Sequence, residues 1–108
     1  MDALVEDFVA YIRLERGQSE KTQRTYASLL GRFTRWAQEH EIDQWASVTL
    51  DHLMKYLQWE RQRPLVNEPA ESTRRLSSES LYLEIAALKS FYRFCETENH
   101  LPRNVAEI

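Results

Sequence analysis

Lys21, Arg24, Ser28, Arg32 and Arg35 recur every three or four residues. Wound as a helix at 100° per residue they fall within about 80° of arc, and no carboxylate interrupts them between Lys21 and Arg35. A second set, Ser78, Tyr82, Ala86, Lys89 and Arg93, has the same kind of spacing and is narrow and more lightly charged. Guanidinium and ammonium groups neutralise oxyanions, and hydroxyls donate hydrogen bonds to them. Ser19, Lys21 and Thr22 stand at the start of the first set, and Ser77, Ser78 and Ser80 at the start of the second. A helix start offers free backbone amides and a partial positive charge, which suits phosphate oxygens. Ser and Thr caps are also ordinary helix grammar, and a charge stripe is also an ordinary solvated face. It is the coincidence of caps and cations on two separate segments that points towards a polyanion.

Other chemistry finds no residues to carry it. His40, His52 and His100 lack metal-ligand spacing, and a zinc site with one cysteine is improbable. Cys95 falls on an apolar face, as a buried structural thiol does, and not where a nucleophile needs to be. A phosphate-cradling loop needs several glycines, and only Gly17 and Gly31 exist. The carboxylates read as solvated groups on exposed helical faces. No catalytic constellation emerges, and no cofactor is implied.

The elements that must position the two stripes are helices. The chain has 108 residues, 29% of them charged and 11% aromatic, which fits one folded domain and not a disordered tail. Two glycines and three prolines are too few turn formers for a β-sandwich or barrel. No apolar run approaches the ~20 residues of a membrane span, and no signal-peptide pattern opens the chain. With a single cysteine, the natural setting is the cytoplasm.

The first helix is expected over about residues 3–16, with Leu4, Val5, Phe8, Val9 and Ile12 on one face. Gly17 follows as its C′ residue. Ser19 caps a second helix over about residues 20–39, whose apolar arc is Thr22, Tyr26, Leu29, Leu30, Phe33, Trp36 and Ala37. Gly31, near the basic stripe, either permits close approach of a partner backbone or is drift at an exposed position. Ile42, Trp45 and Val48 should fold back from a connector. Thr49 caps a third helix, about 50–61, expected to bury Leu50, Leu53, Met54 and Leu57. Residues 62–76 form the one extended loop, either mobile or functional. Ser77 or Ser78 caps a fourth helix, about 79–97, apolar over more than half its circumference through Leu81, Leu83, Ile85, Ala87, Leu88, Phe91, Tyr92, Phe94 and Cys95. Asn104 followed by Glu107 matches the start of a further helix. Because the sequence stops within it, the chain reads as a piece of a longer protein or one whose tail needs a partner.

The net charge of −3 conceals an uneven distribution. Residues 13–35 hold Arg13, Arg16, Lys21, Arg24, Arg32 and Arg35 against Glu15 and Glu20. Residues 36–60 hold Lys55 against Glu39, Glu41, Asp43, Asp51 and Glu60. Two basic blocks thus flank an acidic one, and screening over about 8–10 Å lets each act locally. An α-helix fits the major groove of a duplex, and Arg can bridge phosphates or donate two hydrogen bonds to guanine.

Ser19-Glu20-Lys21-Thr22, followed by Tyr26, Leu30, Phe33 and Trp36, resembles the amino-terminal core-binding domain of tyrosine recombinases, the phage-integrase and Xer group. So does Ser78…Leu81…Ile85…Leu88-Lys89-Ser90-Phe91-Tyr92…Phe94, ending in Leu101…Asn104. The resemblance covers nearly the whole chain, as a pattern of spacings more than of local motifs. It implies an all-α, four-helix, SAM-like domain of two crossed helical hairpins over residues 1–101, with 102–108 beginning a linker or fifth helix towards a catalytic domain. It also implies one half of a clamp on a double-stranded DNA recombination site, with the second and fourth helices at the major groove. Carried over by position, Lys21, Thr22, Arg24, Thr25 and Ser28 match the DNA-facing part of the second helix, and Ser78, Ser80, Tyr82 and Lys89 that of the fourth. Arg32, Arg35 and Arg93 extend the stripes, Ser19 caps the first, and Arg74 and Arg75 are phosphate contacts by proximity. The family's catalytic residues belong to a separate carboxy-terminal domain, so none of Tyr11, Tyr26, Tyr56, Tyr82 or Tyr92 takes the nucleophile's role. Implied partners are that catalytic domain and other recombinase protomers on DNA. Three departures stand out: the acidic net charge, Val105 where proline is usual, and the long 62–76 loop.

Two other classes fit parts of the same pattern. A helix-turn-helix transcriptional regulator would use the turn at Gly17 and favour a pseudo-palindromic site. A helical protein-interaction module would dock another chain through the acidic block 36–60 or through the terminal fragment.

Overall fold

The computed structural model describes residues 1–65 and 73–107. They form four helices: α1 (Asp2–Leu14), α2 (Glu20–Glu39), α3 (Leu50–Gln62) and α4 (Ser78–Thr97). A single 3₁₀ turn, Trp45–Ser47, interrupts the connector between α2 and α3. α1 and α2 pack as one hairpin and α3 and α4 as a second, and α4 also lies against α2 and α1. This is the all-α SAM-like arrangement that the sequence implies.

The helix starts follow local chemistry. The Ser19 hydroxyl accepts the Thr22 amide at 3.1 Å, and the Ser77 hydroxyl accepts that of Ser80 at 3.1 Å. At α3, Thr49 accepts the His52 amide at 3.2 Å, and its own amide donates to His52 Nδ1 at 3.0 Å, a reciprocal capping box. Gly17 stands two residues past the C-cap Glu15, not at C′. Its φ of 60° turns the chain towards Ser19, and the Gln18 amide returns to the Ile12 carbonyl at 3.0 Å. A Cβ on Gly17 would meet nothing within 4 Å, so the glycine answers to backbone conformation and not to space.

α2 and α4 both end in left-handed turns that carry no glycine. Glu41 has φ 62° and Asn99 φ 60°. Ile42 N–H reaches the Ala37 carbonyl at 2.8 Å, and His100 N–H reaches that of Cys95 at 2.8 Å. Both are Schellman closures, and the first delivers Ile42 to the core.

The apolar arcs of α1 and α2 lie as expected: Val5, Phe8, Ile12, Leu30, Phe33, Trp36 and Ala37 are buried. Thr34 is buried with them, its hydroxyl donating to the Gly31 carbonyl at 2.9 Å. Ile42, Trp45 and Val48 fold inwards, and Trp45 Nε1 donates to the Met1 carbonyl at 2.9 Å, tying connector to amino terminus. Aromatic rings dominate the centre. Phe33 meets Tyr56 at 5.0 Å and Trp45 at 5.4 Å, and Trp45 meets Phe91 at 4.3 Å between centroids.

α3 and α4 correct the sequence reading. Leu50 and Met54 are 40% and 56% exposed, and Leu83 on α4 is 48% exposed, although all three are expected in the core. The buried face of α3 is Leu53, Tyr56 and Glu60, about one position round from the predicted one. Glu60 and Glu84 are buried, which overturns the expectation that the carboxylates lie on exposed faces. Where a further helix is expected to start, residues 104–107 make a turn: Asn104 Oδ1 accepts the Ala106 amide at 3.0 Å. Of the 62–76 loop, residues 66–72 lie outside the described residues, so its expected mobility or function falls there.

Candidate nucleic-acid interface

Each helix start of interest carries a paired hydroxyl. Ser19 Oγ accepts a backbone amide and donates to Thr22 Oγ1 at 3.0 Å, and Ser77 Oγ does the same to Ser80 Oγ at 3.1 Å. A hydroxyl that accepts in this way keeps its own proton for an outside acceptor. Thr22 and Ser80 thus each keep a hydroxyl donor in the first turn, whose amides lack helical partners. Of the two cap candidates on α4, Ser77 is the cap and Ser78 is the first helical residue, exposed.

Along α2, Lys21, Arg24, Ser28 and Arg35 are exposed, and Thr25 is half-buried. Arg24 lies 3.8 Å from Glu20, both side chains mostly in water, a pairing too weak to hold it from another anion. Arg35 lies back along the helix, since a Cβ on Gly31 would stand 3.8 Å from its guanidinium. Along α4, Ser78, Tyr82, Lys89 and Arg93 are exposed, with Tyr82 at 69%. In the segment before α4, Arg74 and Arg75 are exposed, and Arg75 donates to the Gln62 and Arg74 carbonyls, both at 2.8 Å.

Two contacts fix how α2 and α4 meet. Arg32 reaches Glu84 at 3.6 Å. Further towards the start of α2, Tyr26 shares a groove with Ser90 and Arg93 of α4 and with Tyr11, Arg16 and Gln18. The helices therefore pass each other in opposite senses, and Arg93 comes to the flank of α2. Arg16, one of the cations of the 13–35 block, belongs to this groove. Lys89 and Arg93 also border a shallower depression with Glu96, Asn104 and Glu107.

Arg32 does not stand with the other cations. Its side chain is only 34% exposed, and one terminal nitrogen lies 3.4 Å from Glu60 Oε2 and 3.6 Å from Glu84 Oε1. Glu60, fully buried, also receives two hydrogen bonds from Arg63, at 2.9 and 3.2 Å. The Glu60 hydrogen bonds hold the Arg63 guanidinium above its usual range. Tyr56 donates to Glu84 Oε1 at 2.9 Å, and burial together with the two carboxylates holds its phenol protonated. Sequence reasoning missed this cluster. The available signal was the spacing of Tyr56, Glu60 and Arg63 at four and three residues, which puts them on one helix face. Cys95 is fully buried, and burial pushes its thiol up to about 12, so it presents no thiolate. Among the described residues no cluster of His, Cys, Asp or Glu could hold a metal ion, and no helix is long and apolar enough to cross a membrane.

The fold and the disposition of α2 and α4 define an integrase-type helical domain, and comparison with known proteins agrees. Residues 5–99 match the family described as phage integrase, N-terminal SAM-like domain, and the chain belongs to that family. Among curated proteins it is similar to tyrosine recombinase XerC of Xylella fastidiosa strain M23, 27% identical over 106 residues. It is also similar to tyrosine recombinase XerC of Herpetosiphon aurantiacus, 24% identical over 107 residues. These alignments cover 98% and 99% of this chain and 32% and 31% of the relatives, so the chain spans about a third of their length. No solved structure matches.

Proposed function

We propose that this chain is the duplex-binding part of a site-specific tyrosine recombinase, gripping DNA with α2 and α4. Lys21, Arg24, Arg35, Lys89 and Arg93 neutralise phosphates. Thr22, Thr25, Ser28, Ser78, Ser80 and Tyr82 donate hydrogen bonds, Ser19 holds Thr22 in place, and Arg74 and Arg75 flank the contact. Strand cleavage and rejoining belong to a carboxy-terminal catalytic domain of the parent protein, towards which residues 102–108 lead. Other protomers on the same DNA complete the assembly, and the setting is the cytoplasm. The observation that carries this reading is the family match over residues 5–99, in a chain that exposes Lys21, Arg24 and Arg35 along α2 and Lys89 and Arg93 along α4.

Fluorescence anisotropy with a labelled duplex at several salt concentrations tests it. Five neutralised phosphates give log affinity a slope of about −4 to −5 against log salt. A slope near zero removes the electrostatic contact on which the reading stands.

A further inference from the structure

The exposed cations leave Arg32, Glu60 and Glu84 unexplained. The three charges come from three helices, α2, α3 and α4, and meet where those helices adjoin. Arg32 keeps the register of Lys21, Ser28 and Arg35, so it sits at the edge of the basic face, turned inwards. Glu60 does not depend on it, because Arg63 serves both Glu60 oxygens. The contacts of Arg32 to the carboxylates, at 3.4 and 3.6 Å, are longer than the roughly 2.7–2.9 Å of a tight charge-assisted bond.

Glu84 is less well served. Its Oε1 accepts from Tyr56 and faces Arg32, while its Oε2 is buried with no hydrogen-bond partner. A bare buried carboxylate oxygen costs free energy that a proton on it removes. The groups that face Glu84 are Arg32 from α2, and Tyr56 and Glu60 from α3 with Arg63 behind Glu60. Among the described residues no ion pair or hydrogen bond brings a charge from α1 to it. Burial first, and then the neighbouring Glu60 carboxylate, push the Glu84 carboxyl up to about 7, against the opposing pull of Tyr56 and Arg32.

We propose that Glu84 and Glu60 form a proton-operated clasp on Arg32, holding it between the helices when Glu84 is ionised and releasing it to a phosphate of bound duplex when Glu84 is protonated. This rests on the reading that α2 faces DNA. Protonation leaves Glu60 neutralised by Arg63 and frees one positive charge at the edge of the basic face. Acid conditions therefore add one phosphate contact, and alkaline conditions withdraw it.

The test compares the wild-type chain with Glu84→Gln and Arg32→Gln, by anisotropy with the same labelled duplex over a salt series at about pH 6 and about pH 8.5. In the wild type the salt slope is steeper by about 0.9 at the lower pH, the worth of one phosphate. Glu84→Gln, which mimics the protonated acid, keeps the steeper slope at both pH values, and Arg32→Gln keeps the shallower one. His40, His52 and His100 are common to all three proteins, so the differences isolate the clasp. Thermal midpoints without DNA give a second readout. Because the Glu84 carboxyl is raised on folding, its stabilising proton is fully present below the unfolded value of about 4.3 and is lost as pH rises through about 7. The wild-type midpoint therefore falls relative to Glu84→Gln across that window. With DNA binding intact, an identical pH response in wild type and Glu84→Gln overturns the clasp alone. Absence of binding at every pH overturns the DNA-binding reading and the release of Arg32 with it, while the midpoint difference still reports whether Glu84 holds the proton.

Discussion

Phe33 and Arg32 are neighbours in sequence and are drawn inwards by opposite chemistry, Phe33 fully and Arg32 in part. Phe33 is fully enclosed by rings from the connector and from α2 and α3, a site that holds the helices by area removed from water. Arg32 enters a pocket of charge, where two buried carboxylates are kept tolerable by two guanidiniums and a phenol. Hydrocarbon burial carries no titrating group and is only weakly directional. Charge burial fixes geometry and answers to protons. One helix thus carries a permanent anchor and an adjustable one a residue apart, with exposed cations on its outer face.

Breaking the anchor has the largest effect. Phe33→Ala costs roughly 3–5 kcal/mol through the cavity it leaves, read from denaturant midpoints. Breaking the charged pocket comes next. Arg32→Ala costs about 3 kcal/mol at alkaline pH, the low end for an unpaired buried carboxylate because Arg63 still serves Glu60. That loss shrinks below about pH 6, where Glu84 carries its proton; an equal loss at both pH values would mean that the pocket acts as simple packing. Two substitutions whose side chains touch neither Phe33 nor the buried carboxylates sharpen the comparison by raising stability. Gly31→Ala gains about 1 kcal/mol, since a Cβ there meets only the end of Arg35 at 3.8 Å. Glu41→Gly gains roughly 0.5–1 kcal/mol by relieving a left-handed residue, less what the freer unfolded chain takes back. Calorimetry should show rises of several degrees for the pair. Arg24→Ala has the smallest effect on folding, within about 0.5 kcal/mol, while weakening duplex binding. A comparable loss of folding would make it a structural residue.

The same contrast explains what was legible. The arcs of α1 and α2 could be read because apolar spacing at 3.6 residues reports burial directly, and the caps Ser19, Thr49 and Ser77 because hydroxyls stand just before apolar periodicity begins. The charged pocket could not. A glutamate in a periodic pattern reads as exposed, and only three-dimensional contact reveals that Glu60 and Glu84 face Arg32. Misreading Glu60 also displaced the buried face of α3, so that Leu50 and Met54 were assigned inwards and Tyr56 was overlooked. The Schellman turns at Glu41 and Asn99 escaped because neither carries the glycine that marks such a turn. The exposed members of both stripes were legible as positions on a helix, but how α2 and α4 meet depended on packing that no local spacing encodes.

The central claim is that cations on α2 and α4 meet a duplex together, and amide chemical-shift mapping tests it most directly. Unlabelled duplex is titrated into the isotopically labelled chain at low salt. Shifts should concentrate at residues 19–28 and at 78–93 along the exposed face of α4, with the outer side of α3 around Met54 unmoved. Shifts confined to α3 and the acidic connector, or to only one of the two helices, would contradict it.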